Sequence, residues 1–191
     1  MAMIADSTRF LMRAAVLALL MLLLVPVLAN TKEPFTLDAV RGKVRQDFAS
    51  VEQLSTRALA EQMARGAPLA LFDVREQGEY AVSRIKGAER VDPGIWRGSF
   101  MSRFDDKLRG KTVVFYCAVG VRSSRLASSV QAALKEQGAT AVYNLDGGVF
   151  AWHNEARALV NGKGMTQFVH PFDTYWGQLV TRRALVSTLP K

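Results

Sequence analysis

The sequence predicts an α/β fold, with a central, mostly parallel sheet and helices on both faces. Three observations point there. Short apolar runs rich in β-branched and aromatic residues, at 69–74, Thr112–Tyr116 and Ala141–Leu145, have the character of strands buried on both faces. They alternate with stretches whose apolar residues recur at helical spacing. The chain has 191 residues, 49% of them hydrophobic and 22% charged, enough to bury one core of ordinary size but short for two full domains. Such alternation builds right-handed βαβ units, and these sheets carry their sites at the carboxyl ends of strands.

Taken in order, residues 1–29 differ in composition from everything after them, and 30–48 read as a tether. Residues 51–54 form a short strand, and Ser55 caps a helix to residue 65 that Gly66 stops. After the strand at 69–74, the polar residues 75–88 give a short helix and a turn at Gly87. A loop at Pro93-Gly94 precedes Ile95-Trp96 and a polar segment to Gly110. Thr112–Tyr116 (TVVFY) is the strongest strand signal in the chain. A helix over 123–137 follows, with Leu126, Val130, Ala133 and Leu134 on one face, Ser123 and Ser124 near its cap, and Gly138 as its stop. After Ala141–Leu145, the turn Asp146-Gly147-Gly148 opens a helix to about residue 159, in which Trp152 is a core residue and His153 faces solvent. The domain is thus placed at 49–160. Residues 161–191 form an extension with Phe168, Phe172, Tyr175 and Trp176. There Asp173 caps a short helix whose apolar side carries Trp176, Leu179 and Val180, with Arg182 and Arg183 near its end. That side suits packing on the domain or docking to a membrane or partner.

Arg9 and Arg13 precede an apolar run of 16 residues, 14–29, broken by Pro26 and ending Val27-Leu28-Ala29. A basic start, a short apolar stretch and a small-residue exit describe a secretory signal peptide; a spanning helix needs roughly 20 apolar residues. The expectation is export to a bacterial periplasm, with a retained anchor at residues 10–29 facing the periplasm as the alternative. The net charge is +8, of which residues 1–29 carry +1, from Asp6, Arg9 and Arg13. The balance favours small anions or acidic surfaces as partners. Nucleic acid is not expected, because the charges are scattered, with Arg41, Lys43 and Arg45 the nearest to a cluster, and no basic–aromatic platform is present.

One cysteine excludes a disulfide within the chain, a CxxC pair, a zinc ribbon and an iron–sulfur cluster, and two histidines, His153 and His170, leave little for a metal site. Cys117 stands where the strongest strand ends. It is followed by Ala118, Val119, Gly120, Val121, Arg122 and Ser123. A short loop between a strand end and a helix start can curl into a cradle of backbone N–H groups, Gly120 supplies the freedom to turn, and the helix dipole and Arg122 both favour a thiolate or a bound anion. Asp73 and Arg75, at the neighbouring strand end, either orient this loop or form an ion pair with Glu79. Trp96 and Phe100 suit a satellite core or the mouth of the site.

The loop, Cys117 to Ser123, resembles the C-x-x-G-x-R-S loop of the rhodanese family in its single-domain form. Two further stretches agree, in the right order over residues 49–160. Leu71-Phe72-Asp73-Val74-Arg75, with Glu79-Tyr80 and Ile85-Lys86-Gly87-Ala88, resembles one signature of the family, and Leu145-Asp146-Gly147-Gly148 with Trp152 resembles another. The Gly-His-Ile-Pro-Gly-Ala often found there is Ser83-Arg84-Ile85-Lys86-Gly87-Ala88 in this chain. Efficient thiosulfate rhodaneses often have a basic residue where this chain has Ala118 and Val119. The resemblance implies a rhodanese-like three-layer fold and sulfane-sulfur transfer through a Cys117 persulfide. The donor would be a small anion of the thiosulfate kind and the acceptor cyanide or a protein thiol. Arg122 and the N–H groups of residues 118–123 would hold the anion, and neither metal nor cofactor is needed. Two other readings stay open here: a partner-binding module on the same fold, and a cysteine phosphatase or arsenate reductase, whose loop has five residues between Cys and Arg where this one has four.

Overall fold

The computed structural model describes residues 34–104 and 106–191; the expected signal or anchor lies outside them. Residues Pro34–Lys191 form one compact unit. No helix among the described residues is long and apolar enough to cross a membrane.

The predicted strands are all present: β1 (Glu52–Leu54), β2 (Leu69–Asp73), β4 (Thr112–Tyr116) and β5 (Ala141–Leu145), with a two-residue β3 (Glu89–Arg90). They form one sheet in the order β1-β5-β4-β2-β3, and every pairing is parallel. Because side chains alternate along a strand, β4 sends Val113 and Phe115 to one face and Val114 and Tyr116 to the other. On the first face they meet Phe100, Phe104, Leu126, Val130 and Leu134. On the second they meet Leu59, Phe150, Trp152, Val169, Leu179 and Val180. Both faces are covered, so the strands read as apolar runs.

The first face is covered by α4 (Arg97–Phe104) and α5 (Val121–Glu136), the second by α2 (Thr56–Ala64), α6 (Gly148–Asn154) and the C-terminal extension. A short α3 (Gln77–Val82) follows β2. Four expectations are corrected. The tether contains α1 (Leu37–Asp47), begun by Thr36, whose hydroxyl accepts from Ala39 N–H; Arg45 pairs with Asp146 on the β5–α6 turn at 2.5 Å. The polar segment after Trp96 is α4, because Phe100 and Phe104 lie one turn apart and both are buried, while Trp96 is 73% exposed. The helix expected to reach residue 159 ends at Asn154. The chain then forms the hairpin β6 (Leu159–Asn161) and β7 (Gly164–Thr166), which spans the 160/161 boundary. His153 is buried, because Gln167 and Arg182 of the extension close over it: its Nε2 lies 3.0 Å from the Gln167 carbonyl, and Arg182 donates to the His153 carbonyl.

The extension packs back on the sheet. Asp173 accepts from Trp176 N–H as expected, although the turn it starts, Trp176–Leu179, is a 3₁₀ helix. Asn154 ties it down twice, donating to the Leu179 carbonyl and accepting from Thr181 N–H, both at 2.9 Å.

Candidate functional site

Cys117 leaves the carboxyl end of β4, the middle strand of the sheet, and is buried. The loop after it is shaped by two glycines. Gly120, at φ 105°, turns its N–H onto the Cys117 Sγ at 3.2 Å, and a Cβ there would press on the Asn144 side chain. Gly148, at φ 58°, lets α6 approach so closely that Val149 and Phe150 donate to the carbonyls of Cys117 and Ala118 at 2.9 and 3.0 Å. With two of its carbonyls held by α6, the loop gives the Gly120 N–H to the sulfur. The N–H groups of Val121, Arg122 and Ser123 lie in the first turn of α5, which offers them no intrahelical acceptor.

Arg122 stands beside the thiol but is not alone. Its Nη1 and Nη2 donate to Glu79 Oε2 and Oε1 at 2.8 and 2.9 Å. Burial works against the charge of Arg122, yet Glu79 and the adjoining Cys117 hold the guanidinium above its ordinary range. Burial likewise disfavours the Glu79 carboxylate, and Arg122, with Arg75 behind it, outweighs that and holds the carboxyl below its ordinary value. The other face of Arg122 carries the Phe172 ring, 4.6 Å from ring centre to guanidinium carbon.

Asp73 and Arg75 are fully buried. Arg75 donates to both Asp73 oxygens at 2.7 and 2.6 Å and to the Ser83 carbonyl at 2.7 Å, and Tyr116 OH donates to Asp73 at 2.8 Å. Burial, then the Asp73 charge, pushes the Tyr116 phenol well above its ordinary value. This network ties β2, β4 and the chain at Ser83 and Ile85 together. Glu79, expected to pair with it, is hydrogen-bonded by Arg122 and feels Arg75 only through its charge.

Of the predicted site residues, Cys117, Ala118, Val119, Val121 and Arg122 line one pocket of about 190 Å³, and Gly120 reaches the sulfur through its N–H. Ser123 is turned away: its hydroxyl donates to Asn144 Oδ1 at 2.6 Å in the buried interior, and its side chain does not line the pocket. Neither Ser123 nor Ser124 is the cap, which is Gly120. The pocket's remaining walls, Phe172 and Trp176, come from the extension. His170 is also drawn in: its Nδ1 accepts from Phe172 N–H at 3.0 Å. Burial first, and the charges of Arg75 and Arg122 after it, hold its imidazole below the ordinary histidine value against the opposing pull of Glu79.

Larger cavities lie elsewhere, one of them lined by Arg157, Met165, Phe168 and Arg182, and Cys117 is not among its walls. The pocket among the described residues that is lined by Cys117 is small and apolar-walled.

Comparisons with known proteins bear on the family and the fold. A model of the rhodanese-like domain matches residues 55–155. The chain is 32% identical over 107 residues to YtwF of Bacillus subtilis, named as a sulfurtransferase, covering 56% of this chain and 95% of that one. It is 30% identical to a tRNA uridine(34) hydroxylase of Bordetella petrii, covering 70% of this chain, and spans 55% of the length of that relative. It is 32% identical over 115 residues to MoeZ of Mycobacterium tuberculosis, named as an adenylyltransferase/sulfurtransferase, and spans 28% of it. Relatives of one domain type thus carry different names. Among solved structures, the thiosulfate sulfurtransferase of Pseudomonas aeruginosa superposes with a TM-score of 0.51 at 19% identity, over 78% of this chain and 27% of that one, a likeness of fold.

Proposed function

The chain belongs to the rhodanese family, and on that premise we propose that it is a sulfurtransferase that moves a sulfane sulfur from a small anionic donor of the thiosulfate type to a thiophilic acceptor, through a persulfide on Cys117. The observation that carries the reading is the sulfur itself: one buried Sγ at the carboxyl end of the middle strand, receiving an N–H bond from Gly120 with Arg122 beside it.

The Cys117 thiolate attacks the outer sulfur of the donor. A new S–S bond forms, the donor's own S–S bond breaks, and its electron pair leaves with the sulfite-type fragment. The loop N–H groups and Arg122 stabilise the negative sulfur that results. An acceptor thiolate, from a protein or a small molecule, or cyanide in an assay, then takes the outer sulfur and returns the Cys117 thiolate. No metal or cofactor is required by this cycle. The four-residue spacing between Cys117 and Arg122 supports a ring sized for a persulfide sulfur rather than a phosphate. Export through residues 1–29 belongs to the same reading, with the mature protein beginning at Asn30, which N-terminal sequencing of secreted material checks.

The test is intact mass after incubation with thiosulfate or inorganic polysulfide. The expected result is a gain of one sulfur atom, absent in Cys117→Ser. Failure of every sulfane donor to load the wild-type chain overturns the proposal in favour of a partner-binding module, and Cys117-dependent hydrolysis of an aryl phosphate overturns it in favour of a phosphatase.

A further inference from the structure

The donor pocket is closed by a segment from outside the matched 55–155 region. Phe172 and Trp176 belong to the C-terminal extension and complete walls begun by Ala118, Val119 and Val121. The wall is built rather than incidental. Phe172 sits at φ 68°, a left-handed conformation that a bulky residue adopts only when its surroundings hold it there. Its N–H is fixed by His170 Nδ1. Trp176 is held from behind by Phe35, which also stacks on Tyr175 at 4.2 Å between ring centres. Gly177 is pressed so closely on Pro171 that a Cβ would meet it at 2.9 Å.

The electrostatics of the pocket match its walls. The lining cation among the described residues, Arg122, already spends two nitrogens on Glu79 and one face of its guanidinium on the Phe172 ring. A dianion such as thiosulfate must shed its water among alkyl and aromatic groups and meet a guanidinium whose charge is largely balanced, which is costly. A donor with one negative charge on its sulfane sulfur and a carbon substituent at its other end loses less water and gains contact with the walls. An apolar cavity of roughly 150 Å³ suffices for a benzene ring, and this one has about 190 Å³.

We infer that Phe172 is a specificity-determining residue, and that the pocket selects organic sulfane donors with an apolar substituent, such as thiosulfonate anions R–SO₂–S⁻, over thiosulfate. The inference rests on the Cys117 persulfide reading above and names its donor class. In the transfer, Sγ bonds to the sulfane sulfur, the donor's S–S bond breaks, and its electron pair departs with the sulfinate R–SO₂⁻. Two negative charges enter and two remain, with no proton or outside oxidant involved. Phe172 acts by contact with R and by covering Arg122.

The experiment measures kcat/KM for thiosulfate, methanethiosulfonate and benzenethiosulfonate, with cyanide as acceptor, in the wild type, Phe172→Gly and Phe172→Tyr. Donors differ in intrinsic reactivity, so the quantity read is how the benzenethiosulfonate-to-thiosulfate ratio changes between proteins. Phe172→Gly removes the ring and the backbone strain together, so loss of fold does not confound it; a thermal melt of each variant verifies this. The expected result is a fall in the ratio of about tenfold in Phe172→Gly, the scale of one lost aromatic contact. Methanethiosulfonate should change less than the aryl donor, and Phe172→Tyr, which keeps the ring, should hold the wild-type ratio. An unchanged ratio in Phe172→Gly, with Cys117 still loaded by sulfur, overturns the inference and leaves the sulfurtransferase reading standing. Failure of the wild type to take sulfur from any donor, inorganic polysulfide included, overturns both.

Discussion

Replacing Glu79 by glutamine asks what holds Arg122 in place. The side chain is buried, and its two oxygens accept the two guanidinium nitrogens at 2.8 and 2.9 Å, while Oε2 also accepts the Glu76 N–H at 3.1 Å to close a capping box at the start of α3. Glutamine keeps one acceptor and turns an NH₂ against a guanidinium that offers only donors. Breaking a fully buried pair costs about 3–5 kcal/mol and an exposed one about 0–1. Arg122 is partly exposed, with 19% of its side chain open, so the expected cost is about 2–4 kcal/mol at pH 7. At about 2–4 °C per kcal/mol for a chain of this size, the melting temperature should fall by roughly 4–16 °C. The acid limb supplies the signature. Because the folded carboxyl is held below its ordinary value, the stability it brings is fully present above the unfolded value of about 4.3 and is lost as pH falls through the lower folded value. Melts of wild type and Glu79→Gln taken from pH 7 to pH 3 should therefore converge in acid. A difference below about 0.5 kcal/mol at pH 7, within the range of ordinary surface substitutions, or a gap that persists unchanged down to pH 3, would refute the assignment of Glu79 as the residue that positions Arg122.

Two further outcomes are expected. Gly148→Ala places a Cβ against the carbonyl oxygens of Cys117 and Ala118 at a left-handed φ, so it should cost at least about 2 kcal/mol and slow sulfur loading of Cys117 in the intact-mass assay; a wild-type melt with wild-type loading would show that the loop does not depend on this approach. The His153 imidazole is held below its ordinary value by burial, with Arg182 adding to that and the Gln167 carbonyl opposing it. Stability tied to it is complete above about pH 6.5 and is lost as pH falls through the lower folded value, so melts between pH 7.5 and 5.5 should decline less in His153→Gln than in wild type, His170 supplying the shared remainder. Parallel profiles would contradict it.

What the sequence revealed and what it hid divide along sequence separation. The strand Thr112–Tyr116, the loop from Cys117 to Ser123 and the turn at Gly147 are local patterns, and the structure has each where its residues put it. The helix Arg97–Phe104 buries only two phenylalanines, one turn apart, among Arg, Ser and Gly, too narrow a stripe to stand out. Leu37–Asp47 buries only Val44 and is fixed by ion pairing to Asp146, about a hundred residues away. His153 follows Trp152 on a short helix and reads as exposed until residues 167 and 182 cover it. The pairing of Glu79 with Arg122 spans 43 residues. A signal for it did exist: a carboxylate on a short helix with buried neighbours needs a cation. Phe172 carried no local mark of its role, because the ring matters only once the extension folds back over the loop.

That folding back separates the unit of inheritance from the unit of folding. The family match closes at residue 155, yet Val169, Leu179 and Val180 beyond it complete the core on the sheet's second face. Three buried aliphatic side chains amount to roughly 5–9 kcal/mol of apolar burial, on the order of the whole stability of an ordinary domain. Cutting the chain at the edge of the recognisable module would open to water the part of the second face that α2 and α6 do not cover. The module is therefore not portable by itself: in a chimera or a domain transplant, residues 161–191 have to travel with it.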